Sequence, residues 1–144
     1  MSFWKRIFGQ ATDEVDYYDE GLVLLNAGKY HEALTSFRLA LRETPSDSAV
    51  LQQIAITYTR IGMEDEAIRT YRKVLAIDSE AAGAHYGLAF LLLHVGQRTH
   101  AADHLRAFLA APPGGPEARQ HIDHAQQTLK DLEHGDDVAQ GAIP

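Results

Sequence analysis

The chain has no cysteine, so no disulfide framework can be built from it, and the redox compartment is left open. No apolar run reaches the length of a membrane span. There is no excess of basic residues. The formal charge of -7 argues against a general nucleic-acid binder, which carries a basic face. Met1 to Gln10 lacks the continuous apolar core and cleavage site of a secretory signal, so a cytoplasmic location is expected. No phosphate-binding loop is present, because no glycine-rich stretch leads into the Lys-Ser or Lys-Thr that such a loop requires. No serine or cysteine nucleophile sits in a recognisable elbow, and no two carboxylates share an apolar setting that would split their pKa values. These absences exclude the common routes to catalysis, and the chain is read as not an enzyme, with no cofactor.

What is present is a repeat. The stretch from Gly62 to Leu75 recurs thirty-four residues upstream, from Gly28 to Leu41, and thirty-four downstream, from Gly96 to Leu109. The register holds without insertion at Gly28/Gly62/Gly96, Ala33/Ala67/Ala101, Phe37/Tyr71/Leu105 and Leu41/Leu75/Leu109. Apolar residues fall at helical spacing on both sides of each glycine. The glycine suits the position just past a helix end, where a left-handed backbone is needed. Each unit therefore reads as two antiparallel helices, A and B. Gly21, Ala55 and Ala89 on the A helices, with Ala33, Ala67 and Ala101 on the B helices, let the pair approach closely.

This pattern resembles the tetratricopeptide repeat (TPR) family, over roughly residues 14–115. Pro45 and Pro113 match its repeat-closing proline, whereas repeat two has Ser79 there. Glu20 departs from the usual leucine that Leu88 keeps, and Leu51 and His85 replace an aromatic that Tyr17 keeps. The resemblance implies an all-α fold, a right-handed α-solenoid of three helix-turn-helix repeats plus a capping helix. The expected layout is an amphipathic N-terminal segment at 1–12 and a repeat domain at 13–134. That domain divides into repeats 14–47, 48–81 and 82–115 and a capping helix at 116–134. A disordered tail at 135–144 follows, where Gly, Asp, Ala and Gln lack pattern.

In chain order, Phe3, Trp4, Ile7 and Phe8 share one helical face at the N-terminus. That face would cover its own domain, dock into a neighbouring molecule, or touch a membrane, where two cations add only about 1 kcal/mol each. The acidic run Asp13, Glu14, Asp16, Asp19 and Glu20 opens helix A1, with Asp19 and Glu20 placed beyond its first turn. Ser46 or Asp47 is expected to cap A2, Asp78 and Ser79 A3, and Thr99 B3. Pro112-Pro-Gly-Gly-Pro116 stops the repeats. Ala118, Ile122, Ala125, Leu129 and Leu132 make one apolar stripe on a last helix, as a terminal cap requires. His100 and His104, or His121 and His124, would supply two imidazoles to a metal. Four ligands are usual, so no metal is assigned, and His100 and His104 are expected to face outward.

The resemblance further implies that the A helices line the inside of a curve. By register the groove takes Val15, Tyr18, Leu22 and Leu25 from the first repeat, Gln52 and Ile56 from the second, and Tyr86, Phe90 and Leu93 from the third. Gly83 and Gly87 would let a ligand come close. Family members that grip a C-terminal carboxylate use lysine, arginine and asparagine here. The matching positions hold Tyr18, Leu22, Gln53, Gly83 and Gly87, so that clamp is missing. The expected function is an adaptor or chaperone holding an apolar or amphipathic segment of another protein, with flanking basic residues on the partner. The alternatives are self-assembly through Phe3, Trp4, Ile7 and Phe8, giving a homo-oligomer, or weak membrane contact through the same face.

Overall fold

The computed structural model describes residues 14–141, and side chains within 14–135. Among the described residues seven helices follow one another: α1 Tyr17–Asn26, α2 Tyr30–Glu43, α3 Ser48–Ile61, α4 Glu64–Ile77, α5 Ala82–His94, α6 Arg98–Ala110 and α7 Ala118–Gly141. Among the described residues there is no strand. The odd-numbered helices α1, α3 and α5 are the A helices and α2, α4 and α6 the B helices, so the fold is an all-α helical solenoid.

Each A-to-B turn is made by one residue in the left-handed region: Gly28 at φ 77, Gly62 at φ 92 and Gly96 at φ 85. The residue after it donates its N–H five positions back, Lys29 to Leu24 at 2.9 Å, Met63 to Tyr58 at 2.9 Å and Gln97 to Leu92 at 2.8 Å. These bonds satisfy carbonyls that a helix end would leave bare. Asp47 caps α3, its side chain accepting from the backbone N–H of Ala49 at 3.0 Å and Val50 at 3.3 Å.

Four local expectations are corrected. Helix α1 starts at Tyr17 because Asp16 caps it, accepting from the N–H of Asp19 at 3.1 Å, so Asp19 and Glu20 lie in the first turn. Thr99 is not the cap of α6, which starts at Arg98 directly after the glycine turn. Asp78 does not cap α5; its carboxylate accepts from Glu80 N–H at 3.1 Å within the connecting turn. Finally, α7 continues through Gly135 to Gly141, so helix occupies most of the stretch expected to be a disordered tail.

The core follows the repeat. Ala33, Ala67 and Ala101 are 0% exposed, and Ala55 and Ala89 are no more than 1% exposed, which places small residues at every A–B crossing. Phe37, Tyr71 and Leu105 are buried beside them. At the first crossing Gly21 lies directly under the Phe37 ring. A second cluster, Phe108 and Leu105 with Ala125 and Leu132, joins α6 to α7. The buried hydroxyls of Thr57 and Thr70 stay within their own helices, donating to the carbonyls of Gln53 and Glu66, each at 2.7 Å. Consecutive repeats are tied across α2 and α3, where Arg38 donates to the Tyr58 hydroxyl at 2.7 Å.

Candidate binding groove

Successive A helices pack on one another, α1 on α3 and α3 on α5, in addition to packing on their B helices. Their free faces therefore adjoin. Leu22, Leu25, Ile56 and Leu93 are half-buried there, packed against the core yet reaching solvent. Leu25 and Ile56, with Asn26, Tyr30 and Arg60, border an open recess of about 550 Å³ at the carboxyl ends of α1 and α3. Tyr18 sits at the other end of α1, its ring 6.0 Å from that of Phe37, beside a recess of about 270 Å³ edged by Asp16, Glu43 and Asp47. Val15 is 54% exposed but lies ahead of the Asp16 cap. It is therefore off the helix whose inner face it was expected to share.

The third repeat is different, because α7 folds back over it. The Tyr86 ring packs against Phe90 at 4.8 Å, Phe108 at 5.1 Å and His121 at 5.0 Å. Its hydroxyl lies 2.8 Å from His124 Nδ1. The His124 ring stacks on Phe90, with centroids 4.6 Å apart and planes 8° from parallel. Burial raises the pKa of the Tyr86 phenol above its ordinary value of 10.0. Tyr86 and Phe90 are thus partly claimed by the chain's own last helix.

What remains open there is a cavity of about 350 Å³ between α3, α4, α5 and α7. Tyr71, Tyr86, Phe90 and Leu91 give it apolar walls, and Thr59, Glu64, His94 and His124 supply polar groups. This is the usual make-up of a site that takes an apolar group and orients it with a few polar atoms. Across the rim, His94 Nδ1 lies 2.6 Å from Glu64 Oε1. Burial pushes the Tyr71 phenol up to about 12, opposed by a hydrogen bond with Thr59.

The two glycines of α5 do not wait for a ligand. A Cβ on Gly87 would come 2.5 Å from Tyr71 Cζ, and one on Gly83 would overlap the Gln52 amide. Both close approaches are made by the chain itself, which corrects the expected role of Gly83 and Gly87. Gln52 consequently bridges α3 and α5. His104 also departs from its outward placement. Its Nδ1 lies 3.0 Å from Nδ1 of His85, whose Nε2 lies 2.8 Å from the Ser79 carbonyl. With His85 protonated at Nε2, its Nδ1 accepts from His104. Burial, then the charges of His85, His100 and Arg72, lower the pKa of His104 against an opposing effect of Asp103. Among the described residues no group of three His, Asp or Glu side chains could hold a metal. Phe3, Trp4, Ile7 and Phe8 lie outside the described residues.

Tyr71, Glu64 and His124 were not assigned to the groove from sequence. Tyr71 reaches it by crossing from α4 to the next repeat, and His124 because α7 presents imidazoles as well as its apolar stripe.

Models of the tetratricopeptide repeat match residues 17–47 and 50–83, two of the three repeats. The chain carries tetratricopeptide repeats. A TPR repeat-containing protein of Methanocaldococcus jannaschii is 41% identical over 61 residues, covering 42% of this chain and 11% of its own. The photosystem I assembly protein Ycf3 of Prochlorococcus marinus is 45% identical over 62 residues, covering 41% of this chain and 36% of its own. The matched stretch is thus well under half the length of these relatives. Among solved structures, the type III secretion chaperone SycD of Yersinia enterocolitica, in complex with a peptide of the translocator YopD, superposes with a TM-score of 0.77. It is 19% identical, and the superposition covers 83% of this TPR chain and 92% of SycD. Among the described residues no helix is long and apolar enough to cross a membrane.

Proposed function

We propose that this TPR protein is a non-catalytic adaptor or chaperone that holds an apolar or amphipathic segment of another protein along the inner faces of α1, α3 and α5. The observation that carries this reading is the cavity walled by Tyr71, Tyr86, Phe90 and Leu91, continuous in the stack with half-buried Ile56, Leu22 and Leu25. An apolar side chain of the guest enters the cavity, and Glu64, His94 and Thr59 orient its backbone. Asp16, Asp19 and Glu20 at the start of α1 favour a guest with flanking lysine or arginine, through charge complementarity that speeds and orients encounter. The absence of lysine or arginine at Tyr18, Leu22, Gln53, Gly83 and Gly87 turns the groove away from a terminal carboxylate. The complex of SycD with a translocator peptide supports the reading as a precedent on the same fold.

The test is titration of a panel of labelled amphipathic peptides with basic flanks, read by fluorescence anisotropy. At least one binds the wild type, and Ile56→Asp and Phe90→Asp each weaken it by roughly tenfold or more, about 1.4 kcal/mol. Circular dichroism checks that Ile56→Asp remains folded. A panel that fails to bind, or binding unchanged in both variants, removes this function.

A further inference from the structure

The first A helix carries a face that the other two bury. In α3, which packs against α2 of the preceding repeat, Ile54 is 4% exposed, Thr57 0% and Tyr58 9%. In α5 the matching Leu88, Leu91 and Leu92 are 0%, 6% and 1% exposed. In α1 the same positions are Glu20, Val23 and Leu24; Glu20 is exposed, Leu24 is half-buried and Val23 is 68% exposed. A valine standing open where its two counterparts are sealed marks a surface lacking its second layer.

The residues ahead of α1 carry that layer's pattern. Subtracting thirty-four from Phe37 and Leu41 gives Phe3 and Ile7, so the series becomes Phe3/Phe37/Tyr71/Leu105 and Ile7/Leu41/Leu75/Leu109. Ser2 falls in line with Ser36 and Thr70, two small hydroxyl residues that are buried. Trp4 falls in line with Arg38, whose guanidinium lies 5.9 Å over the Tyr58 ring, and Leu24 holds the place of Tyr58. One position departs: Arg6 stands where Ala40, Val74 and Phe108 are buried. The opposite face departs in the complementary sense, with Glu20 where Ile54 and Leu88 are buried. A cation and an anion have replaced apolar residues on the two sides of the same junction.

We propose that residues 1–9, whose sequence continues the B-helix register, cap the solenoid by docking on Glu20, Val23 and Leu24 of their own α1. In the repeat register the segment ends at residue 9, and α1 begins at Tyr17. The links between α2 and α3 and between α4 and α5 are shorter, from Glu43 to Ser48 and from Ile77 to Ala82, so the chain has room to turn. The tether sets a local concentration on the order of millimolar, which favours the chain's own segment over that of a second copy. An end repeat needs such a cover, because its outer face has no neighbour. The apolar stripe is thereby consumed within the molecule rather than offered to a membrane.

Trp4 is the single tryptophan and reports on this contact. In the intact chain its emission lies at shorter wavelength than in a peptide of residues 1–13, and acrylamide quenches it less. Val23→Asp moves the emission to that of the peptide, with helix content retained. Arg6→Glu does the same, and adding Glu20→Arg to it restores the native emission, an outcome that loss of general hydrophobicity would not produce. Emission in the intact chain equal to that of the peptide overturns the proposal, as does failure of the charge swap to restore it. A native emission that dilution abolishes, tracking a dimer in sedimentation, also overturns it, because a second copy then covers α1.

Discussion

The phenol ring of Tyr71 occupies the space that a side chain at Gly87 would need: a Cβ there would stand 2.5 Å from both Cζ and the hydroxyl oxygen. Tyr71 is 4% exposed and belongs to α4, while Gly87 belongs to α5, so the contact joins repeat two to repeat three. It also forms one wall of the candidate cavity. Repeat stacking and groove shape are therefore set by the same pair.

Gly87→Ala brings two opposed effects. Alanine in a helix interior is favoured over glycine by about 1 kcal/mol. Overpacking a filled site costs about 1–3 kcal/mol, and the buried Tyr71 ring has little freedom to yield. The expected result is a net loss of about 1 kcal/mol in urea unfolding. Tyr71→Leu, which installs the residue found at Leu105, relieves the clash. Alanine at position 87 is then neutral or stabilising in the Tyr71→Leu background. An equal cost in both backgrounds would show that the ring is not what Gly87 accommodates.

The histidine pair gives a pH dependence of definite sign. His104 has a pKa lowered from 6.5, so the unfolded chain takes up its proton before the folded chain does. Stability contributed by neutral His104 is complete above pH 6.5 and is lost as the pH falls below it, until the folded group also protonates. Chemical denaturation at neutral and mildly acid pH measures this loss. His104→Gln keeps a donor toward His85 and removes the titrating group, so its acid loss is smaller than that of the wild type. A wild type and variant with parallel pH profiles would refute the assignment.

The repeat was legible because it rests on residues with narrow tolerances. Only small residues fit where Ala33, Ala67 and Ala101 are fully enclosed, and only glycine turns easily at positions 28, 62 and 96. Cap residues were less legible, since a left-handed glycine already fixes where α2, α4 and α6 begin and leaves Thr99 with no task. Gly83 and Gly87 misled for a physical reason. A glycine records that something comes close without recording from which side. His124 was missed because a polar helix face looks solvated until its neighbour is known, and here that neighbour is an aromatic pair. The helix continues beyond Gly135, although Gly, Asp and Ala there show no apolar stripe to require it.

The last helix does two jobs that one substitution can separate from surface effects. Leu132 is 5% exposed and packs in the cluster with Phe108 and Leu105, while Ile77 is 48% exposed on α4. Truncating a buried leucine costs about 2–5 kcal/mol, because the transfer energy is lost and a cavity remains. An exposed truncation is usually within about 0.5 kcal/mol. Leu132→Ala should therefore lower the urea midpoint clearly, and Ile77→Ala should leave it almost unmoved. Loosening α7 also frees the His124 imidazole from Tyr86 and Phe90, so acrylamide should quench tyrosine emission more in Leu132→Ala than in Ile77→Ala under folding conditions. If the two variants match in both measurements, α7 neither seals the stack nor shapes the cavity beside it.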